Sequence, residues 1–189
     1  VKWFLIGSVC LFCSATWARG DAAGDLYNQG VTALQNDQYD IAAQAFDKII
    51  TGYPSSPNID EVHIRAGYSY LHAGKFPEAI DRLSKEVAAN AKPEFRGTAL
   101  YFTALAQFSQ GQKTNDKQTF AQAVTTLTAL INFVTTAPTP DNKGYIEQAL
   151  YYRALAQYLR DDLANAEKDL LQVIQQFPAS LSRPDYLLR

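Results

Sequence analysis

Two histidines and a few paired carboxylates come nearest, by type and spacing, to a set that could do chemistry. His63 and His72 are nine residues apart. At about 100° per residue, that spacing places them on opposite sides of a helix. A helical metal pair uses a spacing of three or four instead. Neither histidine has neighbours that would complete a ligand set or orient a general base. His63 is expected to pack in place of a large core side chain, and His72 to lie near a turn. The acidic pairs Asp60-Glu61, Asp161-Asp162 and Glu167…Asp169 fall at expected helix starts, turns and exposed faces. Carboxylates there stabilise the helix dipole, whereas a glycosidase pair needs a cleft between the two. No Gly-rich phosphate fingerprint is present; Asp37, Gly74, Gly111 and Asp161 read as turn markers. No catalytic residue, metal site or cofactor is expected, and the chain does not read as an enzyme.

The elements that would position any site begin after a distinct leader. Lys2 is the only charge among residues 1–18, and it precedes an apolar run, Trp3 to Phe12, and a small, polar exit, Cys13 to Ala18. This order describes a secretory signal peptide cut after Ala18. The run is shorter than the roughly 20 apolar residues of a membrane span, so the cleaved chain is expected not to be an integral membrane protein. Cys10 follows Val9 and Cys13 follows Phe12, where a lipid-attachment motif requires a small residue, so lipid attachment is not expected. Residues 19–189 then contain no cysteine and carry a formal charge of −3. That balance gives no basic face for nucleic acid.

From Asp25 onward, apolar residues recur at three and four positions, the signature of amphipathic helices. Breaks fall at Gly52-Tyr53-Pro54, Lys92-Pro93, Pro138-Thr139-Pro140 and Phe177-Pro178, which leaves four helix pairs. The stretch Ala99–Phe108, ALYFTALAQF, returns as ALYYRALAQY at Ala149–Tyr158 with seven of ten positions identical. Such self-similarity marks a repeat array. The second helices share a large-Ala-large pattern on one face: Tyr39…Ala42…Phe46, Phe76…Ala79…Leu83, Phe120…Ala123…Leu127 and Leu163…Ala166…Leu170. The small residue lets two helices joined by a tight turn approach closely. Gly30, Gly67, Ala104 and Ala154 carry the matching signal in the first helices. The gap to the second-helix alanine is twelve in three pairs and nineteen in the third, and the extra seven residues, Gln112–Gln118, read as a longer turn or a helix extension.

These residues resemble the tetratricopeptide repeat family. The motif positions are Gly30, Tyr39, Ala42, Phe46 and Pro54; Gly67, Tyr70, Gly74, Phe76 and Ala79; Ala104, Gly111, Phe120 and Ala123; Ala154, Leu163, Ala166 and Pro178. The usual Trp position holds Leu26, His63, Leu100 and Leu150, and the alanine spacings of 37, 44 and 43 exceed the family's usual period. The stretch GYPSSPNIDEVHIRAGYSYLHAGKFPEAI, residues 52–80, is similar to periplasmic members of the BamD-like outer-membrane assembly and Tol-Pal groups. The resemblance implies an all-α superhelix, or α-solenoid, over residues 19–189. Its repeats lie near 25–54, 60–93, 97–137 and 145–178. Residues 183–189 read as the start of a fifth first-helix, either a cap or an incomplete repeat.

In that family the first helix of each pair lines the concave face. The register then nominates Tyr27, Asn28 and Val31; Ile64, Arg65 and Tyr68; Tyr101, Phe102 and Leu105; Tyr151, Tyr152 and Leu155. Aromatic side chains offer large contact area at low entropic cost, and one member of each adjacent aromatic pair is expected to line the groove while the other packs. Only Asn28 and Arg65 fit the basic and amide set that captures a terminal carboxylate, so apolar and hydrogen-bonded capture is expected. The function implied is a scaffold of the cell envelope, periplasmic or at the outer membrane, that binds a protein or peptide. The alternatives are a glycan- or peptidoglycan-binding module, a docking segment of a longer enzyme, or self-association through the unfinished fifth helix.

Overall fold

A computed structural model describes residues 22–88, 91–137 and 144–178. The expected leader and the segment 183–189 lie outside the described residues. Among the described residues there are eight helices and no strand: α1 (Ala22–Gln35), α2 (Tyr39–Gly52), α3 (Ile59–His72), α4 (Phe76–Val87), α5 (Pro93–Thr114), α6 (Lys117–Thr136), α7 (Tyr145–Tyr158) and α8 (Leu163–Gln176). Each packs on the next in chain order. The fold is all-α, a helical repeat of the tetratricopeptide type.

The turns within the four pairs share one solution. Asp37, Gly74, Asn115 and Asp161 adopt left-handed backbone, with φ of 55°, 73°, 53° and 65°. Across each, an amide bonds a carbonyl five residues back: Gln38 to Ala33, Lys75 to Tyr70, Asp116 to Gly111 and Asp162 to Gln157. This C-terminal closure satisfies carbonyls that the helix end would leave open. In the third turn Asp116 also caps α6, accepting from the Gln118 and Thr119 amides at 3.0 Å each.

Close approach occurs where the small residues stand. A Cβ at Gly30 would lie 2.6 Å from Phe46 Cζ, and one at Gly67 would strike the Leu83 side chain. Five of the seven extra residues of the third pair lengthen α5 and α6, and Asn115 and Asp116 form the turn between them. This corrects the reading of Gly111. It is buried inside α5, with Phe120 at 2.9 Å from where its Cβ would be, and the turn is made by Asn115. An added heptad brings its own contact point, so the pair acquires a second small residue beyond Ala104.

Four core clusters follow the chain, one of them Phe108, Phe120, Ala123 and Ala156 of α5, α6 and α7. Tyr27, Phe46, Ile49, Val62 and Ala66 join α1, α2 and α3. Ile64, Leu83, Ala99 and Phe102 join α3, α4 and α5. Leu100, Ala104, Leu127, Leu130 and Ala149 join α5, α6 and α7. Ala42, Ala79, Ala123, Ala154 and Ala166 are all buried. The fourth large-Ala-large pattern departs from expectation. Ala166 is buried, but Leu163 and Leu170 are exposed, because no described helix follows α8 to cover them.

Candidate functional site

The first helices face one another. α3 packs on α5 and α5 on α7, while no two second helices pack to a comparable degree. The inside of the curve therefore belongs to the first helices, and the nominated residues fall along it unevenly.

In the first half they form a buried polar knot. The Tyr27 hydroxyl donates to Glu61 Oε1 at 2.7 Å. Arg65 Nε donates to the same oxygen at 2.8 Å, and Arg65 lies over the Tyr27 ring at 5.3 Å. Tyr27, Glu61 and Arg65 are all buried. Burial, reinforced by the Glu61 hydrogen bond, pushes the Tyr27 phenol well above its ordinary pKa. This corrects two nominations: Tyr27 and Arg65 hold α1 to α3 and present little contact area. It also corrects the reading of Asp60-Glu61 as an exposed helix start, since Glu61 is the centre of the knot. Asn28 remains exposed, and Ile64 is core.

Aromatic rings then run from α2 to α7. His72 stacks on Tyr39 at 5.0 Å and lies against Tyr68 at 4.3 Å. Tyr68 meets Phe102 edge-on at 5.2 Å, and Tyr101 stacks on Tyr145 at 4.7 Å. Tyr151 and Tyr152 are 5.7 Å apart, and Tyr152 meets Phe108 at 5.4 Å. Offset and edge-on pairs of this kind contribute beyond their buried area. Phe102 is buried, a correction to its nomination as a contact residue, while Tyr68, Tyr101, Tyr151 and Tyr152 are half-buried. Packing lowers the His72 pKa, with Asp37 opposing. Burial and the Asp37 hydrogen bond raise Tyr39 to about 12, so these rings are neutral near pH 7.

Arg153, Asp169, Arg82 and Asp47 tie helices together. Arg153 grips Asp169 through two bonds of 2.7 Å and donates to the Thr128 hydroxyl at 3.1 Å. Asp169 is buried, so the expected exposed pair Glu167…Asp169 does not exist as read. Arg82 and the Tyr70 hydroxyl converge on Asp47 at 2.7 and 2.5 Å. His63 is buried, and its Nδ1–H donates to the Arg82 carbonyl at 3.0 Å. Sequence reading missed these networks, because their partners are 16 to 35 residues apart. The one available signal was a charge at a position the helical period assigns to the core. No group of three or more His, Cys, Asp or Glu among the described residues could hold a metal. An open cavity of about 550 Å³ lies along α8, lined by Glu167, Lys168, Leu171, Gln172, Gln175 and Gln176.

The outer membrane lipoprotein family YfiO matches residues 19–141. The chain belongs to this family. A tetratricopeptide repeat family matches residues 148–180, so the YfiO fold is continued by a repeat of the same kind through α7 and α8. A crystal structure of MamA protein superposes with a TM-score of 0.43 at 17% identity, covering 87% of this chain and 97% of that one. No curated protein matches. No helix among the described residues is long and apolar enough to cross a membrane. Membership of the outer membrane lipoprotein family agrees with a setting in the cell envelope and with a scaffold that binds other proteins.

Proposed function

We propose that this protein is a non-catalytic adaptor on the periplasmic side of the outer membrane, and that it binds an extended peptide or an apolar helix of a partner protein along α5 and α7. The observation that carries this reading is the placement of Tyr101, Tyr151 and Tyr152. They are half-buried on adjacent first helices, whereas the equivalent Tyr27, Ile64 and Arg65 are buried in the first half. Rings held by their neighbours lose little entropy on binding and still offer contact area. Arg65 and Arg153 are engaged in ion pairs, which favours apolar and hydrogen-bonded capture, and Tyr68 and Asn28 extend the face toward α1. Family membership supports the envelope setting and the protein partner.

The test compares the chain with a Tyr101→Ala, Tyr151→Ala double variant as bait in crosslinked envelope extract, after circular dichroism shows both folded. A protein partner retained by the first and lost by the second supports the face. Equal recovery moves the site elsewhere. Displacement by peptidoglycan fragments assigns the rings to glycan.

A further inference from the structure

The outer side of the array holds three grooves. Each lies between successive second helices and is floored by the first helix packed on both: α3 under α2 and α4, α5 under α4 and α6, α7 under α6 and α8. An arginine and a carboxylate close the first and the third. In the first, Arg82 of α4 grips Asp47 of α2 through bonds of 2.7 and 3.1 Å. In the third, Arg153 of α7 grips Asp169 of α8 and donates to Thr128 of α6. The middle groove has no such clasp among the described residues. Ser84 stands where Asp47 does, one residue after the packed Leu83 or Phe46, and its hydroxyl turns back to the Asp81 carbonyl at 2.7 Å. Thr126 stands where Arg82 and Asp169 do, and it donates to Gln107 at 2.8 Å. Thr103 stands where Arg153 does in the repeated stretch. Its hydroxyl is buried with no partner among the described residues.

The middle groove nevertheless holds a guanidinium. Arg96 lies seven residues before Thr103, within about 20° of it around α5, and so lines the same floor. Its guanidinium sits over the Phe133 ring of α6 at 5.1 Å. Phe133 and Val87 of α4 are both half-buried and pack on the cluster containing Leu100. They are the apolar walls on either side. Arg96 Nε is buried with no hydrogen-bond partner among the described residues, while the residue as a whole is only half-buried. Arg65, Arg82 and Arg153 each hold a carboxylate, and Arg96 holds none among the described residues. Glu86, the buried acid of α4, feels Asp60, Lys92 and Lys85 instead, and Asp60 pairs with Lys92. A guanidinium fork selects a planar, two-oxygen group. One already held over a ring loses little freedom when it pairs. Charge and walls together fit an acid flanked by apolar groups.

We propose that the outer groove between α4 and α6 is a second interaction surface. It takes a partner-protein segment that carries an Asp or Glu side chain between apolar residues, and Arg96 pairs with that carboxylate beside Phe133. The partner supplies the acid that Asp47 and Asp169 supply from within the chain. The surface is separate from the tyrosine face, because Arg96 and Tyr101 are about 140° apart around α5. A scaffold with both surfaces can hold two segments at once.

The test titrates the isotope-labelled full chain with the peptide N-acetyl-Leu-Glu-Leu-amide and, separately, with its Gln twin. Binding is read by nuclear magnetic resonance on the Arg96 Nε–H and on the Val87 and Phe133 amides. The Glu peptide is expected to shift these signals saturably and to bind roughly fivefold or more tighter than the Gln twin, as a charge-assisted bond requires. Added salt should weaken it. Arg96→Gln should remove that preference and Arg96→Lys, which keeps the charge without the fork, should reduce it. Arg160→Gln, at the α7–α8 turn, should leave it unchanged. Circular dichroism checks that each variant is folded, and the comparison of the two peptides on the parent chain stands without any variant. Equal binding of the Gln twin, or an undiminished preference in Arg96→Gln, overturns the site. Equal displacement by inorganic phosphate assigns the groove to any anion and overturns the protein partner. A doubled mass of the chain alone that Arg96→Gln abolishes, by light scattering, places an acid of a second copy there and overturns it too.

Discussion

Gly30 and Phe46 are so close that a Cβ on Gly30 would lie 2.6 Å from the Phe46 ring. Phe46 is fully buried and cannot swing aside. Gly30→Ala should therefore destabilise the fold by about 1–3 kcal/mol, the range for overpacking a filled core. Gly52 closes α2 with nothing within 4 Å of its Cβ direction, so Gly52→Ala should be neutral or stabilise slightly. Urea midpoints of the two variants should move apart, and a shared shift would remove the close-approach argument.

Arg153 and Asp169 form a two-bond pair between α7 and α8 with little solvent access. Asp169→Ala leaves the guanidinium without its carboxylate, and a half-removed buried pair costs about 3 kcal/mol or more. The loss should appear as a lower thermal midpoint, with faster amide exchange in α8 than in α2. A midpoint within experimental error of the parent would show that the pair contributes nothing.

Burial holds His63 below its ordinary pKa of 6.5, and packing does the same to His72. The unfolded chain binds more protons than the folded one as pH falls through about 6.5, so this contribution to stability declines from pH 7 toward 5. Glu86 acts oppositely at lower pH, because burial and then Asp60 raise its pKa. His63→Gln keeps a donor for the Arg82 carbonyl and should flatten the decline between pH 7 and 5.5. Stability curves with equal slopes would exclude His63 as a source.

Tyr27 and Tyr151 occupy equivalent positions but differ in exposure. Tyr27→Phe removes one buried hydrogen bond to Glu61 while Arg65 still pairs with it. It should cost about 1 kcal/mol and leave partner capture unchanged. Tyr151→Ala should weaken capture more than it lowers the midpoint. Reversed sensitivities would move the binding face to the first half of the array.

The repeat was legible because its cause is local. Helical period, glycine and proline punctuation, and the pairing of Ala42, Ala79 and Ala123 with Gly30, Gly67 and Ala104 all follow from how two helices joined by a short turn must pack. Gly111 shows the limit. A glycine near a helix end looks the same in sequence whether it turns the chain or admits an aromatic ring, and the helix extension decided for the ring.

The candidate face was legible only as a register. The period places Tyr27, Ile64, Tyr101 and Tyr151 at one position, and nothing local distinguishes them. Tertiary packing does, since the knot with Glu61 and Arg65 buries Tyr27 and Ile64 is core, while α5 and α7 leave their tyrosines partly open. The same holds for Asp47 with Arg82 and Arg153 with Asp169. Composition and periodicity determined an all-α array. Which tyrosines reach the surface, which charges are buried in pairs, and which leucines stand uncovered on α8 were decided by contacts between distant helices, because burial depends on what packs over a residue and not on its neighbours in sequence.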